Sequence, residues 1–331
     1  MIVSKTPFRI TLGGGGTDLP SYYKNHGGFI FSFCLSKYMY VCVNRPSADN
    51  LIRLKYSKSE TVKNIKDLKH EIARTCLKKL NIDSRIEIAS LSDIPAGSGL
   101  GSSSTYTVGL LNSLHYLNGD RKSLEYLANE ACIVEMDMLK KPMGKQDQYL
   151  AALGGFVVLE IDKLGNVQSR NIHLSEDRIK KLKKNLLIFY TGKQRLNKGI
   201  LDEQDKSTKS NDSEVLNSLH YIKESGYKIL EIIESGDLDE LGLMFKNHWE
   251  MKKKLSSGVT NKNFDFIYNH AIENGAMGGK ISGAGGGGFF TFYCSSEHQK
   301  LRNKMDELGL KELEFDFDFN GSQIISSNYN L

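Results

Sequence analysis

Cysteine is scarce and scattered in this chain. Five thiols (Cys34, Cys42, Cys76, Cys132 and Cys294) are spread over 331 residues with no Cys-x-x-Cys pair. That spacing excludes a disulfide framework and a zinc ribbon, and predicts reduced, buried thiols and a cytoplasmic protein. No apolar run approaches the roughly 20 residues that a membrane-spanning helix needs, and no leader pattern is expected at the N-terminus. No excess of charge of one sign exists either: 44 basic against 39 acidic residues leave a net charge of +5. Basic and aromatic residues do not interleave into a patch for nucleic acid. The lysine runs Lys181, Lys183, Lys184 and Lys252–Lys254 fall on helical patterns and read as solvated faces. Nucleic acid and membrane are therefore not expected partners. Hydrophobic residues at 40% and charged residues at 25% are ordinary for a globular protein, and the length suffices for two domains.

What the chain has is glycine, 31 in all, gathered into a few segments. The central one is Pro95-Ala96-Gly97-Ser98-Gly99-Leu100-Gly101-Ser102-Ser103-Ser104. Alternating Ile86 and Ile88 precede it, and a helical apolar stripe (Val108, Leu111, Leu114, Leu117) follows. The order is strand, glycine turn, helix. Bare backbone lets successive N–H groups approach an anion, and the helix start adds its own unpaired donors and positive dipole end. One serine hydroxyl at that start can donate to phosphate and another can ligate Mg²⁺. A flexible Gly/Ser turn with a cap would explain a lone loop of this kind. It is not a Walker loop, because no Lys follows the glycines, and a dinucleotide fingerprint fits poorly. A second cluster, Gly13-Gly14-Gly15-Gly16, precedes Thr17-Asp18, and a third runs from Gly283 to Gly288. One shared anionic ligand explains all three clusters better than three independent linkers.

Alternation predicts strands at 2–12, 29–35, 37–43, around 52–56, at 186–190 and 289–294, and at Leu313, Phe315 and Phe317. Helical stripes cover 65–80, 121–140, about 213–233, 237–255 and 262–274, and about 296–308, with Trp249 as core. Glu135 falls on or beside the apolar stripe of the 121–140 helix, where a carboxylate needs a partner or a metal, or else keeps its head in solvent. Asp147 follows a helix-breaking Lys141-Pro142 and reads by itself as a cap. The polar stretch 191–213 reads as a surface loop or lid. Strands and helices do not alternate regularly, which favours an α+β fold.

With these residues in view the chain resembles the GHMP small-molecule kinases nearly end to end. Thr6-Pro7-Phe8-Arg9 through Thr17-Asp18 resembles the family's first motif in its sugar-kinase branch. Pro95 to Ser104 resembles the phosphate motif, Gly144-Lys145-Gln146-Asp147-Gln148-Tyr149 the segment of the catalytic aspartate, and Lys280 to Phe289 the C-terminal motif. Gly14-Gly15-Gly16 stands where galactokinases carry Gly-Glu-His, which removes two large side chains beside the sugar. The branch most similar acts on heptose 7-phosphates.

The resemblance implies a two-domain GHMP kinase fold, with residues 1–185 and 186–331 as its domains and nucleotide and substrate in the cleft between them. It implies ATP and Mg²⁺ as cofactors and a sugar phosphate as acceptor, phosphorylated at its anomeric hydroxyl for nucleotide-activated heptose and surface polysaccharide. A fucose- or galactose-type 1-kinase and a silent nucleotide-binding regulator stand as alternatives, and the oligomeric state is left open, a homodimer included. Asp147 would be the base and Arg9 its neighbour, offsetting charge on the transferring phosphoryl group. Pro95, Gly97, Ser98, Gly99, Leu100, Gly101, Ser102, Ser103 and Ser104 would form the phosphate site. Ser103 and Glu135 would hold Mg²⁺. Thr17, Asp18, Gly15, Gly16, Gly283 and Gly285 would line the sugar, and Lys193 and Arg195, with Lys145 as another candidate, would hold its phosphate.

Overall fold

The computed structural model describes residues 1–192 and 199–327. Its larger sheet is built around two long strands, β1 (Ile2–Gly13) and β2 (Gly28–Asn44), paired antiparallel. β2 covers both strands expected between residues 29 and 43. The ladder shifts register between Pro7 and Phe8, so the chain bends there without breaking. Beyond β2 come β5 (Ile86–Ser92), then β3 (Ile52–Lys55) and β4 (Ser59–Val62). β6 (Phe156–Ile161) pairs with the first half of β2 and carries β7 (Val167–Ile172). The smaller sheet has the order β11 (Lys311–Glu312), β8 (Leu186–Tyr190), β10 (Phe289–Tyr293), β9 (Gly278–Ile281). The last strand, β12 (Gln323–Ser327), leaves that sheet and pairs antiparallel with β1, from Ile2↔Ser327 to Lys5↔Gln323. A split into 1–185 and 186–331 therefore does not separate the two sheets.

Eleven α-helices surround the sheets among the described residues. α1 (Pro20–His26) and α2 (Glu71–Lys79) are short, and α2 with a 3₁₀ turn at 65–67 replaces the longer helix expected over 65–80. α3 (Ser102–Leu117) is buried on almost every side. It presses on β1 at Gly109, where a Cβ would lie 2.8 Å from Thr6 Oγ1, and Ser4 Oγ donates to the Gly109 carbonyl at 2.8 Å. α4 (Leu124–Cys132) passes into a π-helical turn, Ile133–Met138, so the single helix expected over 121–140 is in two parts. α5 (Gln146–Leu153) and α6 (Glu176–Asn185) complete the first half.

α7 (Ile200–Lys209) stands in the stretch read as a loop. α8 (Ser213–Glu234), α9 (Glu240–Lys253), α10 (Lys262–Glu273) and α11 (His298–Glu307) fall where the stripes place them. Leu313 and Phe315 form no strand; Phe317 makes one bridge to Leu35 and packs its ring on Phe33 and Phe156. Trp249 is fully buried in the core of the smaller sheet with Phe264 and Phe290. Four of the five thiols are buried, Cys42 is half-buried, and none is in a disulfide. Among the described residues no helix is long and apolar enough to cross a membrane.

Candidate active site

A cavity of about 430 Å³ opens where the two sheets meet. Its walls come from β1, the turn before α3, the segment before α5, α7, α9 and the loop after β9. The turn is tight because of its glycines. Gly101 has φ +86° at the start of α3, a left-handed conformation that costs glycine little. A Cβ on Gly99 would sit 2.7 Å from the Ser282 carbonyl oxygen, and one on Gly283 2.5 Å from the Gly99 carbonyl oxygen. The central and third glycine clusters thus stack backbone on backbone. Gly97, Gly99, Gly101, Ser102, Ser103 and Ser104 line the cavity. Pro95, Ser98 and Leu100 do not: Pro95 is exposed, and Ser98 and Leu100 are fully buried, Leu100 in the apolar core. The Gly288 backbone packs on that of Ser98, where a Cβ on Gly288 would lie 1.9 Å from the Ser98 carbonyl oxygen.

Arg9 on β1 and Asp147 in the first turn of α5 meet beneath this turn. Arg9 donates from Nε at 2.8 Å and from Nη2 at 2.5 Å to the same oxygen, Asp147 Oδ1, while Nη1 donates to the Gly99 carbonyl at 2.9 Å. Oδ2 is turned to Gly101, whose Cβ, if present, would be 3.4 Å away. One guanidinium thus ties the carboxylate to the glycine turn and leaves its second oxygen outside the ion pair, beside Gly101. Lys145, not Asp147, is the N-cap of α5.

Glu135, fully buried on the π-helical turn, accepts three hydrogen bonds and pairs with a lysine. Ser103 Oγ donates to Oε1, Ser104 Oγ to Oε2 at 2.7 Å, Gln148 Nε2 to Oε2 at 2.9 Å, and Lys141 Nζ stands 3.5 Å from Oε1. Ser102 Oγ, at the same helix start, is buried with no hydrogen-bond partner among the described residues. Two hard oxygens, from Ser103 and Glu135, thus stand together at the phosphate turn. Mg²⁺ commonly takes one or two protein oxygens and fills the rest of its shell with phosphate and water, so this donor set fits it. Among the described residues no group of three His, Cys, Asp or Glu side chains could hold a metal.

A second wall of the cavity begins with Asp18, 1% exposed, which accepts from the Gln146 backbone N–H at 3.0 Å and from Gln146 Nε2 at 3.3 Å. Burial, with the neighbouring Asp147 charge adding to it, pushes its carboxyl up to about 6, and the Gln146 N–H works against the shift. Gly144 must be glycine, because a Cβ there would fall 2.0 Å from Asp18 Oδ2. Gly15 and Gly16 line the cavity, whereas Gly13 and Gly14 serve packing: their Cβ positions are taken by Gly226 and by the Phe29 carbonyl. Thr17 does not reach the cavity. It is fully buried and its hydroxyl donates to the carbonyls of Gly14 and Phe29 at 2.8 and 2.9 Å, closing the turn. Gly285 packs on Val259, 2.8 Å from its carbonyl oxygen by the Cβ measure, and does not line the cavity, while Gly283 does. Lys145 donates to the Gly165 carbonyl at 2.5 Å, outside this cavity. Lys193 and Arg195 lie outside the described residues.

Among the cavity residues to which the sequence reading gave no role are His248, Lys252 and Lys280. Lys252 belongs to a run read as solvated, yet it is 9% exposed. The signal was present in its spacing, since Phe245, His248, Trp249 and Lys252 share one stripe of α9. Burial holds the Lys280 ammonium and the His248 imidazole well below their ordinary values, and the Lys252 charge adds to both shifts. Gln146 was also missed; its side chain takes a hydrogen bond from Thr11 Oγ1 at 2.7 Å.

Comparison with known proteins places this geometry. The N-terminal domain model of the GHMP kinases matches residues 61–155 and the C-terminal model residues 229–309. The D-glycero-alpha-D-manno-heptose 7-phosphate kinase of Campylobacter jejuni is 31% identical over 88% of this chain and 89% of its own length. The L-fucokinase/L-fucose-1-P guanylyltransferase of Bacteroides fragilis is 33% identical over 66% of this chain, which spans 23% of that larger protein. In fold, the crystal structure of a D-glycero-D-manno-heptose 1-phosphate kinase from Bacteroides thetaiotaomicron superposes with a TM-score of 0.82 at 22% identity, covering 99% of this chain and 100% of the other. By its two domain models, its end-to-end relative and its α+β two-sheet architecture, the chain belongs to the GHMP kinase family.

Proposed function

We propose that the chain is an ATP-dependent sugar kinase that phosphorylates the anomeric hydroxyl of D-glycero-D-manno-heptose 7-phosphate, giving the 1,7-bisphosphate. The observation that carries this reading is the Arg9–Asp147 pair hung from the Gly99 carbonyl, with Asp147 lining the same cavity as the Gly97–Ser104 turn and Asp18. A hydroxyl placed there would give its proton to Asp147 as the phosphoryl group arrives, and Arg9 would offset the charge in transit. The turn from Gly97 to Ser104 would cradle the nucleotide phosphates through backbone N–H groups and the α3 dipole. Ser103 and Glu135 would hold Mg²⁺, which neutralises phosphate charge when bound. Asp18 would accept from sugar hydroxyls, with Gly15 and Gly16 leaving room for the ring. The end-to-end relative from Campylobacter jejuni supports the heptose phosphate, as does the absence of a side chain at Gly15 on the cavity wall.

A fucokinase-like activity is the second reading, favoured by the 33% identity to the Bacteroides fragilis protein. Adding ATP with heptose 7-phosphate, fucose or galactose, following ADP release and assigning the product by phosphorus NMR, separates the two. ADP release with none of these sugars would overturn the kinase assignment and leave a nucleotide-binding regulator.

A further inference from the structure

Three basic side chains on the smaller-sheet side of the cavity have no part in the chemistry described so far. His248 and Lys252 stand one turn apart on α9 and Lys280 lies on β9; they are 2%, 9% and 4% exposed, and all three line the cavity. They are built in rather than draped over the surface. Lys252 Nζ donates to the carbonyls of Ile281 at 2.6 Å and Gly283 at 2.5 Å. Lys280 Nζ donates to the Leu12 carbonyl and stands 5.2 Å from the Phe245 ring centroid. His248 Nδ1 is sealed from solvent with no hydrogen-bond partner among the described residues. Among the described residues no carboxylate pairs with Lys280; its nearest charged influence is another cation, Lys252.

We propose that His248, Lys252 and Lys280 are the receptor for the phosphate group that the sugar substrate already carries. This rests on the kinase reading above. A phosphate monoester brings close to two negative charges and three acceptor oxygens, which suits two ammonium groups and an imidazole. The nucleotide phosphates have their own cradle at the Gly97–Ser104 turn, with Arg9 and the start of α3. The lysines come instead from α9 and β9, and Lys280 is bonded to β1 at Leu12, three residues before Gly15 on the wall that begins with Asp18.

Initial-rate kinetics with D-glycero-D-manno-heptose 7-phosphate and with unphosphorylated D-glycero-D-manno-heptose test this, together with calorimetric binding of both sugars without nucleotide. The wild type should favour the phosphorylated sugar in KM and in affinity by about tenfold or more, as one charge-assisted contact supplies. Lys280→Met should erase that preference while the ATP KM moves less than about threefold, and Lys280→Arg should restore most of it. Equal affinity of the wild type for both sugars would overturn the receptor, as would a folded Lys280→Met that keeps the preference or loses ATP affinity instead. If Lys280→Met does not fold, Lys252→Met and the wild-type calorimetry decide. Absence of turnover on either sugar would count against the kinase reading, whereas the binding preference still judges the receptor.

Discussion

Replacing Asp147 by Asn removes one charge and keeps the shape of the side chain. In the wild type both guanidinium contacts end on Oδ1, at 2.8 and 2.5 Å, with Arg9 side chain 4% and Asp147 side chain 18% exposed. An amide oxygen in the Oδ1 place still accepts from Arg9, so the pair keeps its geometry. The amide nitrogen then takes the place of Oδ2, on the side facing Gly101, and can take no proton from a hydroxyl. Loss of a positioned base costs about 10²–10⁴-fold in rate, or roughly 3–5 kcal/mol in the barrier. Arg9 would also lose its counter-charge. Breaking a fully buried pair costs about 3–5 kcal/mol, and the water reaching Asp147 lowers that, so a loss of about 1–2 kcal/mol in stability is expected. The assay is a coupled ADP-release measurement with ATP and sugar varied separately, alongside a thermal melt. The ATP KM should hold, because the Gly99 contact of Arg9 and the glycine turn are untouched. A folded Asp147→Asn protein with turnover within about threefold of wild type would refute the assignment of the base.

Three further outcomes follow from the same geometry. Glu135→Gln keeps the shape among Ser103, Ser104 and Gln148 but removes the charge, so the Mg²⁺ concentration for half-maximal rate should rise at least about tenfold; an unchanged Mg²⁺ titration excludes Glu135 as a ligand. Asp18 has its folded value raised from 3.8 to about 6, so the folded state holds that proton more tightly and this contribution to stability, present below pH 4, is lost as pH rises to 6. Asp18→Asn should remove that slope from melting curves, and the wild-type KM for sugar should rise below pH 6, where the carboxyl accepts fewer hydrogen bonds; a flat KM from pH 5 to 7 would contradict it. Gly283→Ala should raise the ATP KM and lower the melting temperature by more than Gly309→Ala: both glycines have positive φ (+69° and +76°), but only at Gly283 does the added Cβ meet backbone, 2.5 Å from the Gly99 oxygen, whereas nothing lies within 4 Å at Gly309.

The parts of the site that could be read in the sequence are those where the chemistry demands a residue type. Gly99 and Gly283 carry backbone that leaves no room for a Cβ and Gly101 has a left-handed φ, while Arg9, Glu135 and Asp147 were picked out through the family's motifs, since by themselves Glu135 could keep its head in solvent and Asp147 could be a cap. The helices α8 to α10 were legible because their apolar stripes repeat at the helical period. α7 was not: its buried positions are Ile200, Gln204 and Thr208, two of them polar, so hydrophobicity shows no stripe although the spacing is helical. β12 was invisible for a different reason. It is an edge strand with exposed Gln323, Ser326 and half-buried Ile324, and only a partner some 320 residues away makes it a strand at all. Thr17 was placed in the sugar site by its neighbour Asp18, yet its hydroxyl is consumed in closing the turn against Phe29.

The return of the final strand has a consequence for how the protein is made. β1 carries Arg9, and one of its two edges stays open until Gln323–Ser327 arrives to pair with Ile2–Lys5. A ribosome that has delivered everything up to the smaller sheet has therefore produced a chain whose first strand still shows a row of unpaired amides. During that interval the strand is a template for a neighbouring nascent chain on the same messenger, and Thr6, whose hydroxyl meets Ser322 at 2.9 Å, is uncovered with it. Cleavage or a premature stop ahead of residue 322 would leave every catalytic group encoded and yet yield a sticky, assembly-prone product.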